Sequence, residues 1–66
     1  MKAVINGEPQ ELPEGITVAE LIERLGLSGS RLAVEVNGAI VPKGEHERFV
    51  LSEGDRIEIV RAIGGG

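Results

Sequence analysis

The 66-residue chain contains no cysteine, tryptophan or tyrosine, and its one aromatic residue is Phe49. Without cysteine the chain forms no disulfide and offers no thiolate, which favours a reducing compartment. Without aromatic side chains it is a poor candidate for stacking on single-stranded bases. The one histidine, His46, and scattered carboxylates do not make a convincing metal site. We therefore predict neither a metal nor a cofactor.

Positive charge is also scarce. Seven Lys and Arg residues against eleven Asp and Glu residues give a net charge of −4 at pH 7. A domain that neutralises phosphates is expected to be basic, so we predict no nucleic-acid partner. No apolar run approaches the roughly 18 residues of a membrane span, and the N-terminal segment is too short for a signal peptide. We expect a cytoplasmic protein with no membrane partner.

Branched aliphatic residues are the main apolar component, because Val and Ile occur seven times each. This composition favours strands. A chain of this length forms one small domain. With neither a disulfide nor a metal to stabilise it, the domain depends on an aliphatic core.

Two Asn-Gly pairs, Asn6-Gly7 and Asn37-Gly38, mark tight turns between short apolar segments. Asn-Gly is the strongest short hairpin signal because both residues accept positive φ values. Pro9 cannot donate a ladder hydrogen bond, so its strand is predicted to lie at a sheet edge. The predicted hairpins pair residues 2–5 with 8–12 and residues 32–36 with 39–41.

One helix is predicted from Thr17 to Gly26. Thr17 and Glu20 have the spacing of a capping box, and Gly26 fits the left-handed residue that follows a helix. Apolar residues at 18, 21, 22 and 25 form one stripe, which requires a sheet to cover it.

A last strand is predicted from Arg56 to Ile63, with Ile57 and Ile59 on one face and Val60 on the other. Hairpin strands around one helix predict an α+β fold, with a mixed sheet of four or five strands and the helix on one face. The predicted core consists of Leu21, Ile22, Leu25, Val34, Val36, Ile57 and Ile59.

Conventional catalysis has little support in the sequence. His46 lies among charged residues, so we interpret it as a solvated loop residue, and no cysteine exists for it to activate. Ser28, Ser30 and Ser52 stand beside Gly or Glu in turns, where serine makes local hydrogen bonds. We therefore predict no catalytic residue.

The unusual feature is the glycine tail, Gly64-Gly65-Gly66. It is either a terminus without function or a substrate, and composition alone leaves these alternatives about equal. Glycine lacks Cβ and so enters narrow active sites, and a terminal carboxylate can be activated as an acyl-adenylate. We expect a domain over residues 1–63 and a tail that is mobile in the free protein, because ordering the backbone costs roughly 1–2 kcal/mol per residue.

Five segments of the sequence are each common among proteins, and only their combination points to a particular family. They are Ile5-Asn6-Gly7-Glu8, Thr17-Val18-Ala19-Glu20-Leu21-Ile22, Val36-Asn37-Gly38-Ala39-Ile40-Val41-Pro42, Gly54-Asp55-Arg56-Ile57-Glu58-Ile59-Val60 and Ala62-Ile63-Gly64-Gly65-Gly66. In this order and at this chain length, the series resembles the small sulfur carriers of thiamine biosynthesis, which are ubiquitin-like β-grasp proteins. The resemblance covers essentially the whole chain.

The resemblance implies that Gly66 is adenylated by an ATP-dependent activating enzyme and then converted to a thiocarboxylate. A sulfur donor such as a cysteine desulfurase supplies the sulfur, and thiazole synthase takes it to build the thiazole ring. Gly64 and Gly65 are then the tail residues that these enzymes recognise. The carrier is a protein co-substrate and not an enzyme.

Two alternatives remain open. One is the small subunit of molybdopterin synthase, which has the same fold and a Gly-Gly thiocarboxylate end, although this chain is short for it. The other is a binding module, such as a ubiquitin-like adaptor or a small RNA-binding domain. The negative net charge argues against RNA, and the bare Gly-Gly end argues against a simple adaptor.

The sheet face away from the helix is a candidate docking face. If Ile57 and Ile59 face the helix, Val60 faces the other way, and we group Val4 and Ala62 with it. Scattered surface aliphatic residues are the plain alternative, while a patch beside the tail indicates a binding surface.

Overall fold

The computed structural model describes residues 1–61, which form a five-stranded mixed sheet with one α-helix on one face. The strand order is β2-β1-β5-β3-β4, with β1 parallel to β5 and the other neighbours antiparallel. The predicted α+β fold is confirmed. The elements are β1 (Lys2–Ile5), β2 (Glu8–Glu11), α1 (Val18–Arg24), β3 (Leu32–Val36), β4 (Ala39–Ile40), a 3₁₀ turn (Lys43–Glu45) and β5 (Arg56–Arg61).

Both Asn-Gly pairs form the turns that the sequence predicts. Asn6 and Gly7 have φ values of 49° and 84°, and Asn37 and Gly38 have φ values of 53° and 87°. Positive φ at both turn positions matches the twist of the strands that the turn joins. Pro9 lies in β2, which is an edge strand as predicted.

The predicted capping box starts the helix. The hydroxyl oxygen of Thr17 accepts from the Glu20 N–H at 3.1 Å, and the Glu20 carboxylate accepts from the Thr17 N–H at 2.9 Å. These bonds satisfy N–H groups that have no partner within a helix.

The prediction that Leu25 belongs to the core is wrong, because its side chain is 36% exposed. The helix ends at Arg24, and Leu25 is the C-cap. Gly26 and Leu27 then donate to the carbonyls of Glu23 and Ile22, which is the pattern of a Schellman motif. This motif turns Leu27 towards the core and leaves Leu25 at the surface.

The other six predicted core residues are buried between the helix and the sheet. Seven further residues are buried in the same core. Some of them lie in β1 or at the start of the helix, and the others lie in segments outside the strands and the helix. These additional buried residues are Ala3, Ile5, Leu12, Ile16, Val18, Val41 and Leu51.

β5 is the central strand and precedes the end of the chain. It pairs with β1 through Arg56 and Ile57, and with β3 from Ile57 to Arg61. The remainder of the predicted last strand and the predicted mobile tail, residues 62–66, lie outside the described residues. Among residues 1–61, no helix is long and apolar enough to cross a membrane.

Candidate functional site

The candidate site is the end of β5, from which the chain continues towards the glycine tail. Ile57 and Ile59 are buried on the helix side, while Glu58 and Val60 are exposed on the opposite side. The alternation predicted for this strand is confirmed. The predicted tail residues Gly64, Gly65 and Gly66 lie outside the described residues, as does Ala62.

Asn6 holds β5 close to its end. Its backbone N–H donates to the Ile57 carbonyl at 2.9 Å. Its side-chain Oδ1 accepts from the Ile59 N–H at 2.8 Å, and its Nδ2 donates to the Ile59 carbonyl at 3.3 Å. The side-chain amide therefore continues the pairing of β5 after the backbone of β1 has turned away at Asn6.

Asn37 holds the beginning of β5 from the other side. Its Oδ1 accepts from the Arg56 N–H at 2.9 Å, and its backbone N–H donates to the Arg56 carbonyl at 2.7 Å. Its Nδ2 donates to the Asp55 carboxylate at 2.9 Å, and that carboxylate also accepts from the Ser52 N–H at 2.7 Å. These bonds fix the turn that leads into β5.

The sequence identifies both asparagines as turn residues but does not reveal their bonds to β5. A turn needs only a residue that accepts positive φ, so the turn signal does not depend on the side-chain amide. The sequence does indicate that such bonds are possible, because Asn at these positions has a side chain that both donates and accepts hydrogen bonds.

Val4 and Val60 lie on the same face of the sheet, as predicted, but they do not lie side by side. Val4 is half-buried and pairs with Arg56, whereas Val60 is 61% exposed and lies four residues further along β5. That interval corresponds to about 13 Å along a strand. Of the two, Val60 lies next to Arg61, the last described residue before the tail.

Ile40 is a further exposed apolar residue on this side of the sheet, and the predicted docking face does not include it. It is 62% exposed and pairs with Glu35, while the next residue, Val41, is buried. Ile40 and Val41 are adjacent apolar residues, and adjacent residues of an extended chain face opposite sides, which is the indication that the sequence contains. We call the surface formed by Val4, Ala33, Glu35, Ile40, Glu58 and Val60 the open face.

The interpretation of His46 as a solvated loop residue is wrong. The 3₁₀ turn folds the charged segment back onto the domain, and His46 is only 9% exposed. Its Nε2 lies 3.1 Å from the Val41 carbonyl, which only accepts, so Nε2 carries the proton of this bond. Its own carbonyl accepts from the Ala19 N–H at 2.9 Å. His46 thus joins the segment after β4 to the helix.

The described residues offer no arrangement for metal binding. Within residues 1–61, no three His, Asp or Glu side chains are grouped so that they could hold a metal ion.

Comparison with known proteins identifies the family. The sequence model described as "ThiS family" matches residues 3–66. The chain is 30% identical over 66 residues to the sulfur carrier protein ThiS of Escherichia coli strain K12, and the match covers both chains completely. It also resembles the crystal structure of the thiamine biosynthesis protein ThiS from Geobacter metallireducens, with a TM-score of 0.86, 28% identity and complete coverage of both chains.

A second kind of relative is much longer. The chain is 44% identical over 66 residues to a thiazole synthase of Paramagnetospirillum magneticum, of which the match covers 20%. The chain thus spans about a fifth of the length of this relative. The likeness to the Geobacter structure confirms the predicted ubiquitin-like β-grasp fold. Because the family match extends over nearly all of its residues, the chain belongs to the ThiS family.

Proposed function

We propose that this ThiS family member is a sulfur carrier for thiamine biosynthesis and that the Gly66 carboxylate is its reacting group. The observation that carries the proposal is the family match, which extends through the glycine tail to residue 66. The complete overlap with the E. coli sulfur carrier supports the same function. Neither the molybdopterin alternative nor the binding module is favoured by a specific observation.

The proposed chemistry uses the chain as a substrate. A carboxylate oxygen of Gly66 attacks the α-phosphorus of ATP on an activating enzyme, and pyrophosphate leaves. The outer sulfur of a donor persulfide then attacks the acyl carbon and AMP leaves, which gives an acyl disulfide with the donor. A thiol of a partner enzyme attacks the donor sulfur of that disulfide, so that the thiocarboxylate leaves and a disulfide forms between the donor and the thiol. Gly64 and Gly65 have no side chains to obstruct a narrow active site. The catalytic groups belong to the partner enzymes, so the carrier itself is not an enzyme.

The proposed partners are an ATP-dependent activating enzyme, a sulfur donor such as a cysteine desulfurase, and a thiazole synthase. Support for the last partner comes from the thiazole synthase relatives, which contain a segment similar to this chain. A cytoplasmic location, in a compartment that also contains ATP and these partners, is part of the same proposal.

We further propose that the activating enzyme docks on the open face near Val60, with Ala62 extending this surface and Val4 at its far margin. Five residues lead from Arg61 to Gly66. An extended chain covers at most about 3.3–3.6 Å per residue, so these five reach about 17 Å. An enzyme that binds the Gly66 carboxylate must therefore lie close to the end of β5. The exposed apolar residues at this end are suited to such a contact.

The test is ATP–pyrophosphate exchange catalysed by a ThiS-activating enzyme, with the wild type, a variant lacking Gly66 and a variant extended by one residue. Deletion moves the carboxylate by roughly 3.3–3.6 Å, and extension turns the Gly66 carboxylate into a peptide bond. A misplacement of about 1 Å at a reacting centre costs on the order of a hundredfold in rate. We expect both variants to lose exchange while their melting curves remain unchanged. Full activity in both would exclude the proposed chemistry.

A further inference from the structure

The two sides of β5 are paired to different extents. On the β3 side, the backbone register continues to the pair Leu32 and Arg61. On the β1 side, it stops at the pair Ile5 and Ile57. The chain of β1 then enters the turn at Asn6, so the last residues of β5 have no neighbouring strand on that side within the described part of the chain.

The side chain of Asn6 takes the place of the missing strand at one position. It binds both the N–H and the carbonyl of Ile59, in the way that a backbone peptide group would. Asn6 has a φ of 49°, which directs the backbone into the turn while its amide remains beside β5. Among residues 1–61, no other hydrogen bond from β1 or its turn reaches β5 beyond Ile57.

We propose that Asn6 is a positioning residue for the tail, because its amide fixes β5 at Ile59, two residues before Arg61, and so sets the position from which the tail begins. This inference rests on the proposed function, in which Gly66 reacts on an activating enzyme. Ile59 lies seven residues before Gly66. A shift of β5 at Ile59 therefore displaces Arg61, from which the tail continues, relative to the open face on which the activating enzyme is proposed to dock.

Asn37 provides a matched control. It occupies the same position in the second Asn-Gly turn, has a similar φ of 53°, and also accepts from a β5 N–H through Oδ1. Its bond is to Arg56, at the beginning of β5 and not at the end. Glycine accepts positive φ, so Asn6→Gly and Asn37→Gly both preserve the turn and remove only side-chain bonds.

The first measurement is amide hydrogen exchange of the free chain, which does not depend on any partner. Asn6→Gly should accelerate exchange of the Ile59 N–H and leave the Arg56 N–H protected. Asn37→Gly should give the reverse result. Asn6→Asp keeps the Oδ1 acceptor but places a second acceptor oxygen opposite the Ile59 carbonyl, so protection at Ile59 should lie between that of Asn6→Gly and that of the wild type.

The second measurement is kcat for ATP–pyrophosphate exchange, at a temperature where all variants are folded. Asn6→Gly should reduce kcat by about tenfold or more, since about 1 Å of misplacement costs on the order of a hundredfold. Asn37→Gly should stay within about twofold of the wild type, and Asn6→Asp should recover part of the loss, because it keeps the bond from the Ile59 N–H. This difference distinguishes positioning from a general loss of stability, which both Gly variants share.

The outcomes separate the inference from the function on which it rests. Equal losses of kcat in the two Gly variants would overturn the positioning role and leave the sulfur-carrier proposal intact. An unchanged kcat in Asn6→Gly, despite faster exchange at Ile59, would overturn it in the same way. No exchange activity in the wild type would overturn the proposed function, and the positioning role with it.

Discussion

Glu35 of β3 and Glu58 of β5 lie directly opposite each other in the middle of the open face. Glu35 is half-buried, and no ion pair among residues 1–61 involves either carboxylate. Directly opposed side chains have Cβ atoms about 4.5–5.5 Å apart, and like charges at this distance destabilise the sheet. We therefore expect this pair to lower the stability of the small domain.

Glu58→Gln should therefore raise the stability of the free protein. The substitution keeps the size of the side chain and removes the repulsion, which we expect to be worth about 0.2–1 kcal/mol. For a domain of this size, 1 kcal/mol corresponds to a Tm shift of roughly 4–8 °C. Thermal unfolding at low salt measures the effect, which should shrink at high salt because salt screens exposed charges.

The control for this substitution is Glu47→Gln, which makes the same change in net charge at an exposed position outside the sheet. Its Tm should change much less than that of Glu58→Gln. Equal increases in the two variants would show that the total charge matters and that the pairing of Glu35 with Glu58 does not.

Leu21→Ala and Leu25→Ala should differ strongly in their effect on the free energy of unfolding. Leu21 is fully buried between helix and sheet, so its truncation should cost about 2–5 kcal/mol. Leu25 is part of the same apolar stripe but is 36% exposed at the C-cap, so its truncation should cost less than about 1 kcal/mol. Urea titration followed by circular dichroism compares them. Similar losses in both variants would contradict the assignment of Leu25 to the surface.

The contrast between these two leucines shows where sequence patterns are sufficient for this fold. The capping box, both Asn-Gly turns and the alternation in β5 depend on local spacing, and the structure confirms them. The surface position of Leu25 depends on where the helix ends. The apolar spacing continues to Leu25, one residue past the end of the helix at Arg24. The helical pattern alone therefore assigns one residue too many to the core.

The missed features depend on contacts between distant parts of the chain. Asn6 and Ile59 are separated by 53 residues, and only the parallel pairing of β1 with β5 brings them together. His46 is buried by a 3₁₀ turn in a segment whose charged neighbours indicate solvent exposure. The order of strands in the sheet likewise follows from packing, for which a single sequence has no short-range signal.

His46 should prove to be structural. His46→Ala removes the donor to the Val41 carbonyl, and a buried group left without a partner costs about 1–3 kcal/mol. The free energy of unfolding from urea titration should fall by this amount. The rate of ATP–pyrophosphate exchange, measured well below the melting temperature, should stay within about twofold of the wild type. A loss of exchange in a fully folded variant would instead indicate that His46 takes part in the reaction with the activating enzyme.

Val60 offers the sharpest test of the docking face, because the chain contains a similar exposed valine elsewhere. Val60 is 61% exposed at the end of β5, and Val50 is 55% exposed where it bridges to Thr17 beside the start of the helix. Burying an aliphatic side chain of this size contributes roughly 1.5 kcal/mol or more, and 1.4 kcal/mol is a factor of ten in affinity. Val60→Gln should therefore raise the KM of ATP–pyrophosphate exchange by roughly tenfold, whereas Val50→Gln should leave KM unchanged. A similar KM for both variants would place the contact with the activating enzyme away from the open face.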